Sequence, residues 1–248
     1  KELASYSFLL EHFYIVDETT SMTKQDLNGT KLVTMDLSAK LGKEEPLVLI
    51  YHTHGSETYK KVNGKEGSVI EVGTALTKEL ENVYGIKTVH DKSVYDMVDG
   101  QLDRNAAYNF AGDSVEAALR KNPSVKVVID LHRDSVENNI HLRTKVNGKS
   151  AAQIMFFNGV SRLASKGDIG YLYNPNKEAN LAFSLQMQLL CGKYYPDLTR
   201  RIYIKGYRYN LVEVGAQNNT VEEAKNAMKP LAEMLYRLLS GEKSYKKN

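Results

Sequence analysis

Six histidines occur in this 248-residue chain, and two of the segments that carry them have the makings of a hydrolytic metal centre. One is His52-Thr53-His54-Gly55-Ser56-Glu57 and the other is His132-Arg133-Asp134-Ser135. A catalytic zinc site takes three protein ligands, nitrogen or carboxylate oxygen, and leaves a fourth position to water. The neutral imidazoles of His54 and His132 with one carboxylate supply that set, and zinc brings the pKa of its water down to about 7. Glu57 stands three residues after His54, a His-x-x-Glu spacing in which one loop gives two ligands. Glu71 is the rival carboxylate, although an acid at a helix start is also favoured by the helix dipole. His52 is read as an orienting group, with the alternative that it replaces His54 as ligand. The third segment is Val212-Glu213-Val214-Gly215. Glu213 alternates with two valines and so faces away from them on a strand. A carboxylate against an apolar wall has a raised pKa, which suits a group that takes a proton from water and passes it to a leaving amine. A plain salt-bridge role is the alternative for Glu213. Ser56 and Ser135 lack a Gly-x-Ser-x-Gly elbow. Cys191 sits in apolar surroundings and is read as packed, and His12, His90 and His141 as surface or hydrogen-bonded residues, with nothing to pair with His90.

Strands must present these groups. Leu47–Tyr51 and Val125–Leu131 are apolar runs of the kind buried on both faces of a sheet, and Asn210–Val214 is a third strand. In open α/β sheets functional groups gather beyond the carboxyl ends of strands. Val72, Leu76, Leu80 and Val83 recur at helical spacing up to Gly85, and Ile86–Val89 follows as a strand. Residues 103–121 and 178–193 are helix-like. Ile140–Val146 and Ile154–Phe157 are predicted to pair across an Asn147-Gly148 turn, and Arg201–Ile204 is a further strand. The last helix opens at Thr220 with Glu223 in a capping box, and Pro230 is predicted to kink it. The alternation of elements predicts an α/β fold with a mixed, mostly parallel central sheet of about six strands flanked by helices. Residues 1–45 are read as an N-terminal segment packed on or preceding a catalytic domain at 46–248, and the basic tail 243–248 as frayed.

Composition narrows the function. Thirty-three Lys+Arg against 30 Asp+Glu leave a net charge of +3, which gives no electrostatic case for a nucleic-acid partner. The one cysteine allows neither an internal disulfide nor a thiolate zinc cluster. No run approaches the ~20 apolar residues of a membrane span. The chain starts Lys1-Glu2-Leu3 without a signal peptide and is read as a processed or trimmed product.

Taken in order, Ile50-Tyr51-His52-Thr53-His54 with Glu57-Thr58-Tyr59, Val72-Gly73, Asp130-Leu131-His132-Arg133-Asp134-Ser135, and Val212-Glu213-Val214-Gly215 with Asn218-Asn219-Thr220 and Glu222-Glu223 resemble the stage II sporulation protein P family. That family is similar to zinc-dependent N-acetylmuramoyl-L-alanine amidases. The resemblance implies an amidase-like fold and cleavage of the amide between muramic acid and L-alanine of peptidoglycan, with endopeptidase action on cross-linked stems also credited to members. It implies Zn2+ on His54, Glu57 and His132, with Glu213 as general acid/base and Arg133 near the substrate or oxyanion; Asp134 belongs to the same surroundings. It favours His54 over His52, while the amidases' ligand Glu near the first helix favours Glu71. It also implies stage II sporulation proteins D and M as partners, a membrane anchor in the full-length protein, and a place outside the cytoplasm at the forespore septum during engulfment. Two other readings fit the residues: a zinc carboxypeptidase or amidohydrolase on small acyl-amino acids, and a non-catalytic wall-binding scaffold. Tyr203, Tyr207 and Tyr209 offer stacking surfaces for sugars, although strand tyrosines mostly pack.

Overall fold

The computed structural model describes residues 2–42, 44–207 and 210–245; Tyr209 and the last three residues of the tail lie outside them. At the centre is a seven-stranded sheet made of β1 (Tyr14–Val16), β2 (Val48–Tyr51), β3 (Thr88–His90), β4 (Val127–Asp134), β5 (Ile154–Gly159), β6 (Ile202–Lys205) and β7 (Leu211–Ala216). The spatial order is β1-β6-β5-β7-β4-β2-β3. Every neighbouring pair is parallel except β5 with β7. The sheet is therefore two parallel blocks of opposite direction joined at one antiparallel seam. The carboxyl ends of β2, β3, β4 and β7 share a rim with the amino ends of β1, β5 and β6.

Local sequence explains the elements. Val48, Leu49 and Ile50 are fully buried, as strands covered on both faces must be. The helices are α1 (Tyr6–His12), α2 (Gly29–Thr34), α3 (Val69–Tyr84), α4 (Arg104–Lys121), α5 (Lys177–Tyr194) and α6 (Val221–Leu239). A capping box of Ser68 and Glu71 opens α3, and Gly85 closes it at φ 64°, a left-handed conformation that costs glycine little. A second box, Thr220 with Glu223, opens α6. Its stripe of Ala224, Ala227, Met228, Leu231, Leu235 and Leu238 is buried. Alternation gives the sheet two faces. Ile129, Leu131, Val212, Val214, Ile154 and Phe156 lie on one, against which α3, α5 and α6 pack. Val128, Asp130, His132, Glu213, Met155 and Phe157 lie on the other.

Two details differ from the sequence reading, the pairing around Asn147-Gly148 and the strand at Tyr14–Val16. The Asn147-Gly148 turn forms, with both residues at positive φ, but Arg143–Val146 pairs with Lys149–Ala152. A two-residue turn fixes the register of the residues directly beside it, so Ile154–Gly159 is free to enter the central sheet. Helix α6 continues through Pro230; proline removes one backbone donor, and packing against α3 supports the helix around it. Tyr14–Val16, within the N-terminal segment, is an edge strand of the sheet beside β6. Among the described residues no helix is long and apolar enough to cross a membrane.

Candidate metal centre

The rim shared by β2, β4 and β7 gathers the residues that the sequence singles out. After β2 the chain turns back on itself, with the Glu57 N–H donating to the His54 carbonyl and the Val69 N–H to that of Glu57. The Glu57 carboxylate thereby returns to His54. Strand β4 continues to Asp134 rather than stopping at Leu131, so His132 and Arg133 point to opposite faces. His132 Nδ1 is 3.5 Å from Glu57 Oε2, and His54 Nδ1 is 3.6 Å from Glu57 Oε1. The two imidazoles meet edge to face with centroids 4.8 Å apart. One ligand atom from each of His54, Glu57 and His132 lies within 4.8 Å of the others.

These residues fit a zinc ion. Ligand atoms at 2.0–2.2 Å from a tetrahedral ion stand about 3.4 Å from one another, close to the separations found. The donor set of two imidazole nitrogens and a carboxylate is the type that catalytic zinc takes. His54 Nε2, His132 Nε2 and Glu213 Oε2 are buried with no hydrogen-bond partner in ordinary geometry, which is costly unless something else engages them. Glu71 lies apart from this cluster: it closes the α3 capping box and meets Lys225 at 3.1 Å. Of the two neighbouring histidines, His54 is in the cluster and His52 is not.

Below the cluster lies Asp130, 1% exposed. It accepts the Thr53 N–H at 2.9 Å and the Thr53 hydroxyl at 2.6 Å, and His132 Nε2 is 2.8 Å from its Oδ1. Burial alone would lower the His132 pKa, but the charge and hydrogen bond of Asp130, followed by Glu57, push it up to about 10. Burial works to raise Glu57, yet hydrogen bonds from His132 and His54 and the Arg133 N–H hold it well below the usual carboxylate range. Glu213 is the register partner of His132. Burial, then the negative charge of Asp134, push its carboxyl up to about 8.

The remaining candidates have other partners. Arg133 donates Nε to the Thr58 carbonyl at 2.6 Å and Nη1 to that of Asp134 at 3.1 Å, so its side chain braces the chain just beyond Glu57. Asp134 receives Arg200 Nη1 at 2.7 Å. His52 Nδ1 lies 2.9 Å from the Leu131 carbonyl and its Nε2 lies 2.9 Å from His90 Nε2. A carbonyl can only accept, so His52 carries its proton on Nδ1 and His90 donates from Nε2. His90 therefore has a partner where the sequence suggests none. Gly73 makes room for the pair, since a Cβ there would sit 2.7 Å from both rings. His141 meets Glu223 at 2.8 Å, the hydrogen-bonded role read for it, and Cys191 is buried. Sequence reasoning missed Asp130, Arg200 and the use of His90. An acid two residues before His132 in a buried strand is a usable signal for the first. Nothing local marks Arg200, which arrives only because β6 runs in reverse.

The family model for stage II sporulation protein P matches residues 8–236. The chain belongs to the stage II sporulation protein P family. The "Stage II sporulation protein P" of Bacillus subtilis (strain 168) is 25% identical over 215 residues, 77% of this chain and 50% of that relative. The chain thus spans about half the length of the curated relative it matches. The crystal structure of the apo form of the N-acetylmuramyl-L-alanine amidase Ami1 from Mycobacterium abscessus is similar at 12% identity and a TM-score of 0.43, covering 78% of this chain and 96% of that one. The stretch matched by the family model includes β1 and every residue of the rim described above.

Proposed function

We propose that this protein hydrolyses peptidoglycan at the amide between N-acetylmuramic acid and the L-alanine of the stem peptide, as a zinc-dependent amidase. The observation that carries the reading is the meeting of His54, Glu57 and His132 beside the buried, unpartnered Oε2 of Glu213. Zinc bound there would polarise the scissile carbonyl and acidify water. His54, Glu57 and His132 would hold it, the last two of them buried. Glu213 has a carboxyl titrating at about 8, within reach of neutral pH in both directions, so it can take a proton at Oε2 and return it to the departing amine. Burial dominates that value, with the charge of Asp134 raising it further and those of His132 and Arg200 lowering it. Membership of the family supports a role in sporulation, in engulfment of the forespore, outside the cytoplasm at the septum. In the full-length protein a membrane anchor and stage II sporulation proteins D and M as partners belong to the same proposal.

Incubation with purified peptidoglycan, with and without a chelator, is the test. Mass spectrometry should show stem peptides with free L-alanine amino termini released only when zinc is present. Fragments cut within cross-links would add an endopeptidase action. Zinc-loaded protein that releases nothing would overturn the proposal.

A further inference from the structure

We propose that Asp130 is a positioning residue that sets both imidazoles of the metal centre, one through its ring and the other through its backbone. The inference deepens the amidase reading and rests on it for the identity of the metal, but the arrangement of the side chains stands by itself. Asp130 precedes His132 by two residues in β4, so both project to the same face. It is also the register partner of Tyr51 at the end of β2, next to the turn that carries His54.

The carboxylate is an acceptor in every direction. His132 Nε2 meets it in an ion-pair contact at 2.8 Å, outside ordinary hydrogen-bond geometry, and an acceptor this close favours the proton on Nε2. In the neutral imidazole this leaves Nδ1 bare, and Nδ1 is the atom that faces Glu57 at 3.5 Å. A metal requires that lone pair. The same carboxylate takes both the N–H and the hydroxyl of Thr53, the residue before His54. One buried acid thereby ties the ligand-bearing turn after β2 to the ligand-bearing end of β4. Burying a carboxylate this fully is unfavourable unless it is satisfied from all sides, and here the groups that satisfy it are those that steer the ligands.

Asp130→Asn keeps the size but replaces one acceptor by an amide donor. A donor turned to His132 drives the proton to Nδ1 and removes the lone pair. Zinc affinity, measured by competition with a chromophoric chelator, should fall by about 10- to 100-fold, while the metal-free variant keeps a cooperative thermal transition. Unchanged affinity would overturn the proposal. If Asp130→Asn does not fold, Thr53→Val removes only the hydroxyl bond that aims the carboxylate, and should weaken zinc by about fivefold; wild-type affinity in that variant would count against the role. A second readout needs no metal. In ¹⁵N-resolved proton spectra of the metal-free protein, an Nε2–H signal of His132 should be visible, protected by the buried carboxylate, and lost in Asp130→Asn. Persistence of that signal in the variant would overturn the role. If the wild type bound no zinc, the amidase reading would fall, and this spectrum would still decide what Asp130 does.

Discussion

Arg200 donates from Nη1 to Asp134 Oδ2 at 2.7 Å, joining the approach to β6 with the end of β4 although these belong to strand blocks of opposite direction. Glu213 lies in β7, the strand of the β4 block that borders the seam, and feels both partners, Asp134 raising its pKa and Arg200 lowering it. Arg200→Gln removes the restraining charge, so the Glu213 carboxyl should titrate at higher pH. A base must lose its proton to act, and the acidic limb of the pH–rate profile should move toward alkaline pH. At pH 6 we expect kcat/KM to drop by about tenfold, the equivalent of one pKa unit, with zinc content unchanged.

Glu213→Gln separates binding from proton transfer. The variant should keep stoichiometric zinc and lose roughly 10²- to 10⁴-fold in kcat, whereas His132→Ala should lose metal and turnover together. Stability of the metal-free protein provides an independent check. The folded pKa of Glu213, about 8, lies above the 4.5 of an unperturbed glutamate. Its contribution is complete below the unfolded pKa and is lost as pH rises through the folded one. Denaturation of wild type and variant should coincide near pH 4 and diverge progressively between about pH 4.5 and 8, the variant remaining the more stable above that. Parallel curves across that range would contradict the assignment.

Glu57 and Glu71 are distinguished by metal content. Glu57→Gln should leave the protein folded and largely free of zinc after dialysis against trace metal. Glu71→Gln should retain the metal and lose about 1 kcal/mol of stability, because its loss weakens the cap of α3 and the contact with Lys225. The reverse pattern by atomic absorption would transfer the ligand role to Glu71.

Gly73 faces the His52–His90 pair. Its φ is ordinary, so the demand is for space alone: a Cβ would meet His52 and His90 at 2.7 Å. Gly73→Ala must push α3 off the sheet or part the two rings, and should destabilise the protein by about 1–3 kcal/mol. His90→Ala in the same background should recover part of that loss. An alanine variant with wild-type denaturation would show that the helix shifts at no cost.

Much of this arrangement is legible in the residues. The apolar run before His52 forms β2, the periodic stripe after Ser68 forms α3, and the capping box at Thr220 forms α6, because each is specified by neighbours within a few positions. His54, Glu57, His132 and Glu213 could be named because polar groups that interrupt or follow buried strands stand out against them. What escaped is non-local. Tyr14–Val16 shows no period over three residues and becomes a strand only because β6 offers an edge. The direction of β5 and β6, and with it the arrival of Arg200, depends on how Asn147-Gly148 pairs its own flanks. That His54 and not His52 joins the cluster follows from a carbonyl of β4 and a ring from β3 that engage His52.

Strand β7 sits between β5 and β4, and without it the sheet falls into two separate slabs, β1-β6-β5 and β4-β2-β3. Among the described residues it is also the last strand in chain order. Its insertion acts as a keystone: the same step that welds the slabs delivers Glu213 beside His132. A polypeptide interrupted before residue 211 would hold the imidazoles and lack Glu213, so on the proposed function assembly of the sheet and the onset of reactivity would be one event.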